Sequence, residues 1–73
     1  MSQKLGPITW RNFVKKLKAL GYSGPEFGGK HAYMTKGDKT QTIPNQHDGD
    51  IGVGLLRRLL KQLDVSVSDW NDL

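Results

Sequence analysis

Cysteine is absent from this chain of 73 residues, which excludes a disulfide framework and every metal site built on thiolate ligands. Long apolar runs are also missing, because charged residues interrupt each hydrophobic stretch after a few positions, so no segment predicts a transmembrane helix. The first seven residues lack the apolar core of a signal peptide. We therefore expect a cytoplasmic protein that is stabilised by apolar packing alone or by a partner.

The small size predicts a single domain over residues 1–73. A domain of about 60 residues buries only about 60% of the surface that its unfolded chain exposes, so we expect a thin core. The formal net charge is +4 and the isoelectric point is near 9.6. That balance suits a polyanionic partner, although many basic proteins bind no nucleic acid.

The residue pattern predicts a first helix from Thr9 to Leu20. Thr9 is a suitable N-cap, and Gly21 follows the last apolar position, where a left-handed cap favours glycine. The apolar residues recur at helical spacing and form one stripe: Trp10, Phe13, Val14, Leu17 and Leu20.

Strands are predicted in the middle of the chain. Ser23-Gly24-Pro25 is typical of a turn, and Glu26-Phe27 predicts a short strand or an irregular edge. Residues 32–35 and 40–44 predict two further strands, joined by a hairpin turn at residues 36–39. With Ala32, Met34 and Ile43 facing the core, alternation assigns five side chains to an open, polar face: His31, Tyr33, Thr35, Thr40 and Thr42.

A second helix is predicted from about Val53 to Asp64. Its buried stripe consists of leucines: Leu56, Leu59, Leu60 and Leu63. Ser68 is expected to cap a final turn that folds Trp70 back onto the core. Two helices on one face of a small three-stranded antiparallel sheet make an α+β domain in the order α-β-β-β-α, which leaves one sheet face free for partners.

His31 is the residue best suited to a role in catalysis. Imidazole suits proton transfer near neutral pH, and Lys30 beside it could hold a phosphate. An isolated histidine is nevertheless more often an ordinary surface group, and an exposed lysine is usually only solvated. Positive charge next to a titratable group is what cleavage of a phosphodiester requires.

Other polar residues give weaker signals. His47 lies beside Asp48 and close to Asp50, but Asp-Gly-Asp is also ordinary turn chemistry, so we predict neither a metal site nor a cofactor. The basic residues of the second helix, Arg57, Arg58 and Lys61, either form a solvated face or lie along a phosphate backbone.

Three blocks of the chain, in their order and spacing, resemble the HicA (YcfA-like) toxin family. They are Gly29-Lys30-His31, Thr42-Ile43-Pro44, and residues 54–62 followed by Val65-Ser66-Val67. The resemblance extends from Trp10 to Trp70. It implies a double-stranded-RNA-binding-like fold and a metal-independent ribonuclease that cleaves messenger RNA and is silenced by a HicB antitoxin. It also implies that His31 is catalytic, whereas Lys30 stands where the family usually has serine or another small polar residue.

We therefore hypothesise that His31 transfers protons and Lys30 supplies charge, while four further cations guide the RNA backbone: Lys36, Lys39, Arg57 and Arg58. The residues do not identify a second proton carrier, although His47 is one option. Two other functions stay open. One is a non-catalytic module that binds double-stranded RNA, which leaves His31 without a role, and the other is a domain whose basic face docks an acidic protein.

Overall fold

The computed structural model describes residues 4–29, 31–44 and 50–73. Its elements are α1 (Trp10–Ala19), β1 (Ser23–Phe27), β2 (Ala32–Lys36), β3 (Lys39–Thr42), α2 (Val53–Leu63) and α3 (Val67–Asn71). The strands form one antiparallel sheet in the order β1-β2-β3. The predicted α+β class is therefore confirmed, and the short α3 follows the five predicted elements.

Both ends of α1 follow from its sequence. The Thr9 hydroxyl accepts a hydrogen bond from the Asn12 backbone N–H at 3.1 Å, as expected of an N-cap. At the other end Gly21 adopts a φ of 101°, and the Tyr22 N–H donates to the Leu17 carbonyl at 3.0 Å. This pairing closes the last turn in the manner of a Schellman motif.

The segment Ser23-Gly24-Pro25 belongs to β1, so its prediction as a turn is wrong. The register of β1 against β2 shifts between Ser23 and Glu26, which lets the strand accommodate residues typical of turns. Gly24 has a φ of 125°, and an added Cβ would lie 3.2 Å from the Glu26 nitrogen and 3.2 Å from the Tyr33 oxygen. Only glycine fits this position without strain.

The predicted hairpin is confirmed, and so is its alternation within the strands, whereas His31 lies in a bend before β2 and outside the sheet. Lys36 pairs with Lys39 across the turn, and Gly37 within the turn has a φ of 61°. Ala32, Met34 and Ile43 are buried, whereas the residues between and opposite them are exposed or half-buried: Tyr33, Thr35, Thr40 and Thr42. The sheet therefore has one face against the helices and one open face.

The core lies between the helices and the inner face of the sheet. Its fully buried side chains include Phe13, Leu17, Met34, Ile43, Ile51, Leu56 and Trp70. Trp70 folds back onto the core as predicted, but the cap of its helix is Ser66, whose hydroxyl accepts from the Asp69 N–H, and not Ser68. Ser66 takes this role because its backbone is extended, which an N-cap requires. Across residues 4–29, 31–44 and 50–73, no helix is long and apolar enough to cross a membrane.

Candidate active site

His31 lies in the bend that directly precedes β2, and its side chain is exposed to solvent. The bend closes the β1–β2 connection, which begins at Gly28 immediately after β1. Because Phe27 pairs with Ala32, this connection is short and brings the end of β1 next to the beginning of β2. An exposed imidazole at a strand end is accessible to a large substrate.

A row of polar side chains crosses the open face next to His31. Glu26 of β1 pairs with Tyr33 of β2, and Tyr33 in turn pairs with Thr42 of β3. Paired Cα atoms in an antiparallel sheet are about 4.5–5.5 Å apart, so the three side chains are direct neighbours. Tyr33 lies two residues beyond His31, so the Cα atoms of Glu26 and His31 lie within about 13 Å of each other at the same end of the sheet.

Tyr33 also contacts the connection that carries His31. A Cβ added to Gly28 would lie 3.3 Å from Tyr33 Cε1 and 3.5 Å from the Tyr33 hydroxyl oxygen. The phenol ring therefore covers Gly28, and its hydroxyl sits beside the β1–β2 connection. The site at this end of the sheet contains an imidazole, a carboxylate and a phenol, which together can exchange protons and donate hydrogen bonds to a phosphate.

Lys36 and Lys39 lie at the opposite end of β2 from His31. Both are exposed and pair with each other across the β2–β3 turn, and the Lys36 ammonium lies 6.0 Å from the centroid of the Tyr22 ring. At about 3.4 Å per residue, five residues of strand separate Lys36 from His31 by about 17 Å. The structure brings these two lysines together but does not bring them to His31.

Arg57 and Arg58 are exposed on α2. With Lys61 they line one shallow surface depression that extends to the start of α3. The helix packs against the inner face of the sheet through its leucine stripe, and Gln62 near its end accepts a 3.2 Å hydrogen bond from Gln41 of β3. These arginines thus belong to the helical layer, whereas Tyr33 and Thr42 belong to the open face.

Lys30, His47 and Asp48 lie outside the described residues. Within the described part of the chain, no group of three or more His, Asp or Glu side chains could hold a metal ion. Glu26 is a candidate residue to which the sequence assigns no role. Its signal was the assignment of residues 26–27 to a strand, but its position beside His31 depends on the register of β1 with β2.

Comparison with known proteins gives one finding. A family model described as the HicA toxin of bacterial toxin–antitoxin systems matches residues 10–65. The matched segment is well over half of the chain and includes α1, the whole sheet, His31 and α2. Neither the curated proteins nor the solved structures provide a match.

Proposed function

This chain belongs to the HicA toxin family of bacterial toxin–antitoxin systems, and we propose that it is a metal-independent endoribonuclease that cleaves messenger RNA in the cytoplasm. The observation that carries the proposal is the exposed His31 directly before β2, at the end of the sheet where Glu26 and Tyr33 lie on the open face. A HicB-type antitoxin would silence the toxin by covering this face, because covering it blocks the substrate.

The proposed reaction needs no metal ion. The ribose 2′-oxygen attacks the adjacent phosphorus and loses its proton to a base, while the bond from phosphorus to the 5′-oxygen breaks. An acid delivers a proton to the departing 5′-oxygen, and the products are a 2′,3′-cyclic phosphate and a 5′-hydroxyl. Positive charge stabilises the phosphoryl oxygens during the attack.

His31 is one of the two proton carriers in this proposal, and Glu26 is the other. A carboxylate and an imidazole can divide the roles of base and acid, since an ionised carboxylate can accept a proton and a protonated imidazole can donate one. Their placement at one end of the sheet, with Cα atoms within about 13 Å of each other, leaves room for a phosphate between the side chains. His47 remains the alternative partner from the sequence.

Charge and hydrogen bonding come from the neighbouring residues. The Tyr33 hydroxyl, which lies beside Gly28, would donate to a phosphoryl oxygen, and Lys30 next to His31 in sequence would supply positive charge. Lys36, Lys39, Arg57 and Arg58 are exposed and would hold the more distant backbone phosphates.

The test is cleavage of a long single-stranded RNA by the purified protein in excess EDTA. We expect His31→Ala and Glu26→Gln each to lower the rate by about 10²–10⁴-fold, the usual contribution of one acid–base group. Both side chains are exposed, so both variants should fold, which far-ultraviolet circular dichroism verifies. Thr40→Ala is the matched control, because Thr40 is exposed at the far end of the sheet and should retain full activity.

Each outcome separates the alternatives. Full cleavage by a folded His31→Ala protein would refute the mechanism. Full activity of Glu26→Gln together with loss of activity in His47→Ala would assign the role of second proton carrier to His47. Tight binding of double-stranded RNA without cleavage by any variant would favour the non-catalytic module, and RNA association that does not respond to salt would favour a protein-docking domain.

A further inference from the structure

Phe27, the last residue of β1, carries an aromatic ring that is 72% exposed. Its ring is stacked on that of Trp10, the first residue of α1, with the centroids 6.4 Å apart and the planes inclined by 22°. Trp10 is half-buried and packs against the core. The pair is therefore an aromatic surface whose outer ring is mostly exposed to water, which differs from a single apolar side chain on a protein surface.

The exposed side of α1 next to this pair is cationic. Arg11, Lys15 and Lys18 are exposed and line one shallow depression together with Asn12 and Val14. At 3.6 residues per turn the three cations fall on one side of the helix, and Arg11 and Lys18 are about 10 Å apart along its axis. We call these three residues the α1 cationic face. The sequence of α1 contains no aspartate or glutamate to neutralise it.

The aromatic pair also lies close to His31. Phe27 pairs with Ala32, which follows His31 directly. Paired Cα atoms are at most about 5.5 Å apart and consecutive ones 3.8 Å, so the Cα atoms of Phe27 and His31 lie within about 9 Å. Phe27 points to the side of the helices, whereas Tyr33 and Glu26 lie on the open face, and the Gly28-Gly29 connection joins the two sides.

We infer that the Trp10–Phe27 pair and the α1 cationic face form a binding path for single-stranded RNA that leads to His31. A nucleobase stacks on the exposed Phe27 ring while Arg11, Lys15 and Lys18 contact the phosphates on one side of that base. The RNA strand then crosses the Gly28-Gly29 connection and presents its next phosphate to the open face of the sheet. The inference rests on the proposed ribonuclease function for the site to which the path leads.

The chemistry of the path favours RNA over a protein partner. Aromatic rings beside a row of cations are the usual means of holding single-stranded nucleic acid without reading its sequence. The three cations span about 10 Å along the helix axis, which is long enough for them to contact consecutive phosphates of one RNA strand. An antitoxin bound to the same surface is the competing occupant, and the experiment separates the two.

Binding is measured with His31→Ala protein, so that the RNA stays intact during the measurement. One probe is a labelled single-stranded RNA of about 12 nucleotides, within the usual range of site sizes, and the second is an abasic ribose-phosphate strand of the same length. Phe27→Ala should weaken binding of the RNA by about 5- to 150-fold and leave the abasic strand unaffected. Phe27→Tyr, which keeps an aromatic ring, should retain the affinity of the parent protein.

The cations are tested by the salt dependence of the same binding. Lys15→Ala should make the negative slope of log K against log salt shallower by about 0.7 for both probes, since one phosphate contact is lost. Lys4→Ala is the matched control, because Lys4 is exposed in the amino-terminal segment, where its backbone carbonyl accepts a hydrogen bond from Asn71 at 2.8 Å. That variant should keep the slope of the parent.

Three results would overturn the inference. Unchanged RNA affinity in Phe27→Ala would exclude stacking, and an equal loss for the RNA and the abasic strand would show that the ring acts without a base. Loss of antitoxin binding with unchanged RNA binding would assign the surface to the protein partner. Absence of cleavage by the wild-type protein would instead refute the ribonuclease function, and it leaves these binding results intact.

Discussion

Trp70 provides the sharpest test of how this small domain is held together. Its indole is 2% exposed and packs against Phe13, with ring centroids 5.5 Å apart and planes tilted by 46°. Lys16 donates a 2.8 Å hydrogen bond to the Trp70 carbonyl, and its ammonium lies 5.5 Å from the centroid of the Trp70 ring. The family match ends at residue 65, so this core residue lies beyond the matched segment.

Replacement of Trp70 by alanine should remove a large share of the stability. Substitution of a buried aromatic residue by alanine costs about 3–5 kcal/mol. A chain of 73 residues has a free energy of unfolding of about 4–11 kcal/mol at the usual value per residue. At about 4–8 °C per kcal/mol, the melting temperature should fall by about 12–40 °C. We expect Trp70→Ala to be marginally folded or unfolded at 37 °C.

Urea denaturation followed by far-ultraviolet circular dichroism is the suitable assay, because tryptophan fluorescence changes when Trp70 is removed. Leu73→Ala is the control, since Leu73 is 41% exposed and lies three residues further along the chain. That variant should change the free energy of unfolding by no more than about 0.5 kcal/mol. A loss of less than about 1 kcal/mol in Trp70→Ala would refute the argument that α3 completes the core.

Two further predictions concern β1 and the two lysines at the β2–β3 turn. Gly24→Ala should destabilise the protein by about 1–3 kcal/mol and lower RNA cleavage, because its φ of 125° and the 3.2 Å approach to the Tyr33 oxygen leave no room for a side chain. Gly6→Ala, where an added Cβ meets nothing within 4 Å, is the control, and equal melting temperatures of the two variants would contradict the prediction. Lys36→Ala and Lys39→Ala should raise KM for RNA without lowering kcat, and a lower kcat in either variant would contradict that assignment.

Most of the fold follows from local sequence rules. Thr9 and Gly21 mark the ends of α1, and the alternation of residues 32–35 identifies the buried face of β2. The prediction fails in β1, where Gly24 and Pro25 are typical of a turn while the sheet holds them in a bulged strand. Pairing with β2 determines that this segment is a strand, and pairing between distant residues is not encoded in local composition.

The candidate site, like the fold, is predicted by local sequence only in part. Its residue type and its place before a strand, which are both local properties, predict His31 as a candidate. The position of Glu26 beside it depends on the β1–β2 register, and the Trp10–Phe27 stack depends on the packing of α1 against β1. Neither arrangement could be obtained from spacing, because the residues that meet come from different elements.

The distance along β2 explains why Lys36 and Lys39 should affect binding and not chemistry. These lysines lie about 17 Å from His31, and at physiological ionic strength exposed charges are largely screened beyond about 8 Å. In the proposed reaction they therefore cannot stabilise negative charge on the phosphate at His31, but they can hold a phosphate farther along the same RNA strand. Such contacts are equally strong in the ground state and the transition state, so their loss raises KM and leaves kcat unchanged. In the proposed mechanism, a cation that contributes to the chemical step must lie at the His31 end of the sheet.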